Sequence, residues 1–237
     1  MEQQRFMTTQ WSMVLAAADG SSPESDRALA LLCRTYWYPL YAFVRRQGHP
    51  AHEAEDLTQE FFARILEKQY LEGVGPEKGR FRTFLMVCLR RFLANEWDRR
   101  RALKRGGGKA ALSIDFSDAD ARYRLEPAHD LTPERLFERR WALTLLEQVL
   151  ANLAEEMQRA GKAELFDALK VYLAAQSSAP PHAEVAAKIG MSEGAVKVAV
   201  HRLRQWYRQL LRDEIAKTVG DDRDVDEEIG RLFSALG

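Results

Sequence analysis

Cysteine is nearly missing from this sequence: there are two in 237 residues, Cys33 and Cys88. Each sits among apolar residues at helical spacing, which predicts buried free thiols and not a disulfide scaffold or a thiolate metal site. That usage fits a reducing cytoplasm. No apolar run approaches the length of a membrane span, and the opening MEQQRFMTTQ lacks a signal-peptide core. Strand-like alternation is missing too, as is any internal repeat. Catalytic constellations are equally scarce. His49 and His52 flank a proline, and HEAED departs from the His-Glu-x-x-His spacing of a metalloprotease. Asp115, Asp118 and Asp120 cluster where Gly and Ser are frequent, a composition that usually means solvated loop acids. With no nucleophile–base pair, phosphate-cradling glycine loop or metal cluster, the sequence predicts a protein that is not an enzyme and uses no metal or cofactor.

Net charge is also missing. Thirty-five Lys and Arg balance thirty-five Asp and Glu, which excludes a uniformly basic nucleic-acid binder. The balance conceals segregation. Residues 78–109 hold eleven basic residues against two acidic ones, whereas residues 213–237 hold eight acidic against three basic. Opposed blocks of this kind suggest separate surfaces for separate partners.

What is present is helical periodicity. With hydrophobic residues at 46% and charged at 30%, the chain is predicted to be all-α and globular. Two small helical domains joined by a flexible linker are expected, the second containing a helix-turn-helix. Residues 1–24 read as a polar lead-in with a short helix around Trp11 to Ala18. Residues 25–105 form a first helical domain, with Leu31, Leu32, Tyr36, Leu40 and Phe43 turned inward and Pro39 as a candidate kink. Residues 106–131, rich in Gly, Ser and Asp, read as the linker. Residues 132–217 form the second domain, opened by Thr132-Pro133 as cap and first-turn proline. Residues 218–237 are an acidic tail, read first as solvated and second as a shield over the basic helix.

The second domain ends in HAEVAAKIGMSEGAVKVAVHRLR. Gly190 stands where a helix ends in a left-handed residue, and Ser192 where the next helix is capped. Val196, Val200, Leu203, Tyr207 and Leu210 make one buried stripe, while Glu193, Lys197, His201, Arg204 and Arg208 follow another face. A short helix, a tight turn and a longer basic helix form the helix-turn-helix pattern, whose second helix enters the major groove. In the first domain, GRFRTFLMVCLRRFLANEWDRRRALKR interleaves aromatics with arginines. That mixture holds single-stranded nucleic acid by stacking bases and pairing phosphates. Among its rings, Phe81 and Trp97 are the candidates for exposure; Arg80, Arg82, Arg90, Arg91 and Arg99 to Arg101 carry the charge. The preceding helix is acidic, with Glu53, Glu55, Asp56, Glu60 and Glu67 beside Phe61, Phe62 and Leu66, and suits a basic protein partner.

Taken together, these segments resemble a bacterial RNA polymerase sigma factor of the extracytoplasmic-function type (group 4 of the sigma-seventy superfamily). EDLTQEFFARILEK resembles the helix that grips the beta-prime clamp of core RNA polymerase. The resemblance assigns that contact to Asp56, Gln59, Glu60, Phe61 and Arg64. The arginine-aromatic stretch resembles the segment that melts promoter DNA and reads the −10 element, which points to Arg80, Phe81, Arg82, Arg91, Asn95, Trp97 and Arg100. The helix-turn-helix resembles the reader of the −35 element, which points to Ser192, Glu193, Lys197, His201, Arg202 and Arg204. Departures exist: many relatives have Asn at the position of Arg91, Asp at that of Asn95, and Ser-Arg where this chain has Val198-Ala199. The resemblance implies core polymerase and promoter DNA as partners and a cytoplasmic setting. An anti-sigma factor, or a kinase acting on Thr58, are further candidates. On the shield reading of residues 218–237, polymerase or DNA displaces the tail. The rival reading is a stand-alone helix-turn-helix regulator that never touches polymerase.

Overall fold

The computed structural model describes residues 23–65, 80–102, 114–126, 131–173, 179–219 and 222–237, and every regular element among them is helical. The all-α expectation holds. The short helix read around Trp11 to Ala18 lies outside the described residues, as do Leu66 and Glu67. The chain divides into two compact units, residues 1–144 with 215–237, and residues 145–214.

In the first unit, α1 (Pro23–Arg46) runs on through Pro39. A turn at Gly48, whose φ of 99° favours glycine, leads to α2 (Ala51–Ile65). The third helix, α3, spans Phe81–Ala102. Tyr36, Leu40 and Phe43 of α1, Leu57 and Phe61 of α2, and Phe81, Leu89 and Phe92 of α3 are all buried. Rings meet edge-on or tilted inside this core: Tyr36 and Phe81 lie 5.4 Å apart, and Phe61 and Phe92 5.7 Å. Cys88 is buried, and burial pushes the partly covered Cys33 thiol up to about 11.

Part of the segment expected as a flexible linker is packed. Residues 114–126 contain α4 (Ala119–Arg124) and lie against α1. The Phe116 ring stands 5.4 Å from Trp37, and the Arg122 guanidinium lies 4.0 Å above the Tyr38 ring. Tyr38 donates a 2.8 Å hydrogen bond to the buried Glu126, which also pairs with Arg140. Burial, reinforced by Glu126, raises the Tyr38 pKa far above its usual value. Residues 106–113 and 127–130 lie outside the described residues.

The helix α5 (Pro133–Arg159) starts as its sequence predicts, with Thr132 Oγ1 accepting from the Arg135 N–H at 3.3 Å. Its first three turns belong to the first unit, where Leu136, Phe137 and Trp141 are fully buried. The second unit therefore begins at 145 and not at 132. The acidic C-terminal stretch departs further from expectation. It forms α9 (Val225–Ser234), which belongs to the first unit and buries Val225, Glu228 and Leu232.

The second unit holds the rest of α5, then α6 (Ala163–Leu169), a 3-10 turn (Lys170–Tyr172), α7 (His182–Ile189) and α8 (Glu193–Ala216) up to residue 214. Its core joins Leu153, Met157, Phe166, Leu169 and Tyr172 to Val185, Ala186, Val196, Val200 and Leu203. Tyr207 and Leu210, the last two members of the predicted stripe, pack against that core half-buried.

Candidate nucleic-acid and polymerase interfaces

The helix-turn-helix is built by two local devices. Gly190 adopts φ 67°, a left-handed conformation that ends α7, and the Met191 N–H returns to Ala186 O at 3.0 Å. Ser192 Oγ then accepts the Ala195 N–H at 3.2 Å, capping α8. Tyr172 anchors the approach: its ring stacks on His182 at 4.8 Å and its hydroxyl donates to Pro180 O at 2.7 Å. The caps aim the first turn of α8 outward. Ser192, Glu193, Lys197, His201 and Arg202 are all exposed. Lys197 pairs with Glu193 at 2.7 Å, one helical turn apart, and holds the Glu193 carboxyl below its ordinary range. Both are more than half exposed, so this pair is easily exchanged for other partners. Arg204 differs, because its Nε donates to Tyr172 O at 3.0 Å and so helps fasten α8 to the 3-10 turn.

In the first unit the expected sites separate into surface and core. On α2, Asp56 is exposed and Gln59 and Glu60 are partly so. Phe61 and Phe62 are buried, so the apolar part of the expected clamp surface is core. Leu57, Phe61 and Ile65 follow one another at steps of four, the spacing of one buried stripe, and all three are buried. Arg64 bridges Glu60 and the buried Glu96, each at 2.6 Å, and its guanidinium lies 5.0 Å from the Phe92 ring. Burial works against its charge, but Glu60 and Glu96 outweigh that and hold the Arg64 pKa above the ordinary guanidinium value. Thr58 is fully buried and its hydroxyl donates to Ala54 O at 2.6 Å, so a kinase has no access to it in this fold.

On α3, Trp97 is 60% exposed, and Arg91 and Asn95, six and two residues earlier on the chain, are exposed as well. A cavity of about 380 Å³ opens beside Trp97, lined by His49, Glu53, Leu57, Arg90 and Leu93 among others. The lining joins the apolar Leu57 and Leu93, the Trp97 ring and the Arg90 cation to two carboxylates, Glu53 and Glu96. Arg90, one of the arginines read as carrying the charge of this stretch, lines the cavity and pairs with Glu134. The side chain of Arg100 lies outside the described residues.

The basic start of α3 contradicts expectation. Phe81 is 2% exposed and packs on Tyr36, so it is a core ring and not a stacking platform. Arg82 is 6% exposed. It donates to Glu138 at 2.6 Å, pairs with Glu228 and lies 4.4 Å from the Trp141 ring. Burial pulls the Arg82 pKa below the ordinary value, and Glu138 opposes that pull. Arg80 pairs with Glu227 at 3.3 Å and with Glu228. The carboxylates that meet these arginines stand far away in the sequence, and no local pattern announces them.

Among the described residues no group of three or more metal-binding side chains is gathered, and no helix is long and apolar enough to cross a membrane. Residues 32–103, which run from α1 through α3, match the family model of Sigma-70 region 2. The match covers 72 of the 237 residues and supports a sigma-70 type region there. No curated protein and no solved structure matches the chain.

Proposed function

We propose that this chain, with sigma-70 region 2 at residues 32–103, is a sigma factor of the extracytoplasmic-function type. It binds core RNA polymerase and directs it to promoters carrying −10 and −35 elements. The observation that carries this reading is the pairing of that region with a separately cored helix-turn-helix in residues 145–214. In it, the acidic face of α2, through Asp56, Gln59 and Glu60, meets the clamp. Phe61 and Arg64 position that face without touching the partner. Trp97, with Arg90, Arg91 and Asn95 near it, receives the melted −10 strand, where each stacked base is worth about 1–3 kcal/mol. Glu193, Lys197, His201 and Arg202 face the −35 duplex. There Glu193 accepts from a cytosine amino group, while Lys197 and Arg202 pair with phosphates.

The experiment is run-off transcription by core polymerase on sheared genomic DNA, with and without the full chain. Initiation at discrete, reproducible start sites that need the chain is the expected result; random or unchanged initiation contradicts it. The self-contained core of residues 145–214 also suits a stand-alone regulator. That reading predicts sequence-specific duplex binding with no effect of the chain on core polymerase.

A further inference from the structure

The acidic helix α9 lies against the basic start of α3, and its charges are used there. Glu228 is fully buried and meets both Arg80 and Arg82. Glu227 reaches Arg80 at 3.3 Å, and Glu138 takes Arg82 at 2.6 Å. Three carboxylates thus surround two guanidiniums. Each guanidinium gives Glu228 one nitrogen, Arg80 Nε to Oε2 and Arg82 Nη1 to Oε1, and a guanidinium that pairs with a carboxylate also pairs with a phosphate, which carries the same sign of charge. Arg80 and Arg82 stand at the start of the helix that carries Arg90, Arg91 and Trp97. Arg80 and Arg82 thus add cations at one end of the helix, and α9 covers that end through Glu227 and Glu228.

We propose that Arg80 and Arg82 form a phosphate site for a nucleic-acid strand, occupied in the free chain by Glu228 of α9, which the strand displaces. This rests on the promoter-strand reading of α3 given above. The helix is suited to leaving. It is ten residues long, and it buries Val225, Glu228 and Leu232 while Phe233 on it stays 54% exposed. An isolated helix of that length is marginal in water, so α9 holds its form mainly through this contact. On release the Glu228 carboxylate regains water, which offsets part of the lost pairing, and the arginines exchange a buried carboxylate for a phosphate. Arg82 keeps Glu138 and the Trp141 ring throughout, so the site stays shaped while its occupant changes. Neutralising Glu228 uncovers the site, and so does loosening α9 through its apolar contact at Leu232.

The test uses the full chain as wild type, Glu228→Gln and Leu232→Ala. Fluorescence anisotropy with a labelled oligothymidine is measured over a series of salt concentrations, and circular dichroism checks that each variant is folded. Both variants are expected to bind the strand several-fold more tightly than wild type. A strand that already displaces α9 from the wild type contacts the same phosphates in every protein, so the salt slopes stay close while the affinities separate. In parallel, hydrogen exchange of the wild type is followed with and without the strand. Amides of residues 225–234 are expected to exchange faster once it is bound. Equal affinity in folded variants, or α9 amides that stay protected in the bound wild type, overturns the proposal. If a variant fails to fold, the wild-type exchange decides alone. Binding by all three proteins with α9 unmoved leaves the promoter-strand reading standing and removes only the displaced helix. No binding of the strand by any of them overturns both.

Discussion

The two basic surfaces of this molecule use charge in opposite ways. At the start of α3 the arginines are taken up inside the first unit: Arg82 is 6% exposed and Arg80 pairs with two carboxylates of α9. On α8 the cations stand in solvent, and the ion pair at Lys197 joins two residues more than half exposed. Counted along the sequence, the first surface carries more positive charge. Counted by what an incoming phosphate could reach, the second is the more open. Burial decides the matter, because a desolvated charge must be paired where it lies, whereas an exposed one exchanges partners at little cost.

The sharpest way to break this comparison is at the buried arginine. Arg82→Met removes the partner of Glu228 and Glu138 from a desolvated site, and the expected loss is about 3–5 kcal/mol in chemical denaturation. A loss below about 0.5 kcal/mol, the range of an ordinary surface substitution, contradicts the burial argument. Phe61→Ala should cost a similar amount, about 3–5 kcal/mol, since it empties a core position between Phe62 and Phe92. Normal stability with selective loss of polymerase binding would return Phe61 to the surface. Ser192→Ala removes the cap of α8, with an expected cost of about 1 kcal/mol. Its thermal midpoint should fall by a few degrees, and an unchanged midpoint counts against the cap. Arg202→Ala has the smallest expected effect on stability, within about 0.5 kcal/mol. It should nevertheless weaken duplex DNA binding and lower the slope of log affinity against log salt by about 0.9, the share of one phosphate. An unaltered slope would take Arg202 off the DNA.

What the sequence made legible was local. Gly190, Ser192 and Thr132-Pro133 end or begin helices through bonds spanning a few residues, and each does so in the fold as read. The stripe from Val196 to Leu210 also faces the core, because one helical period sets it. Readings failed where the deciding partner was remote. Phe81 could have been a stacking ring until Tyr36 of α1 closed over it. Arg82, read as an exposed cation, is buried and paired in the free chain by Glu138 and Glu228, which no window around α3 contains. The Gly- and Ser-rich composition of residues 106–131 concealed Phe116 and Glu126, which fasten part of that stretch to α1 and α5. Of the expected clamp residues, Asp56 is the one the fold leaves exposed; Gln59, Glu60 and Arg64 are partly covered and Phe61 is buried.

That exposure makes Asp56 the point at which the sigma-factor reading is most directly tested. The measurement is co-elution of the full chain with bacterial core RNA polymerase on size exclusion, for wild type and Asp56→Arg, with thermal midpoints taken alongside. The account predicts that the wild type co-elutes, and that Asp56→Arg does not while melting at the same temperature. A wild type that never joins core polymerase, yet still binds duplex DNA through α8, would contradict it.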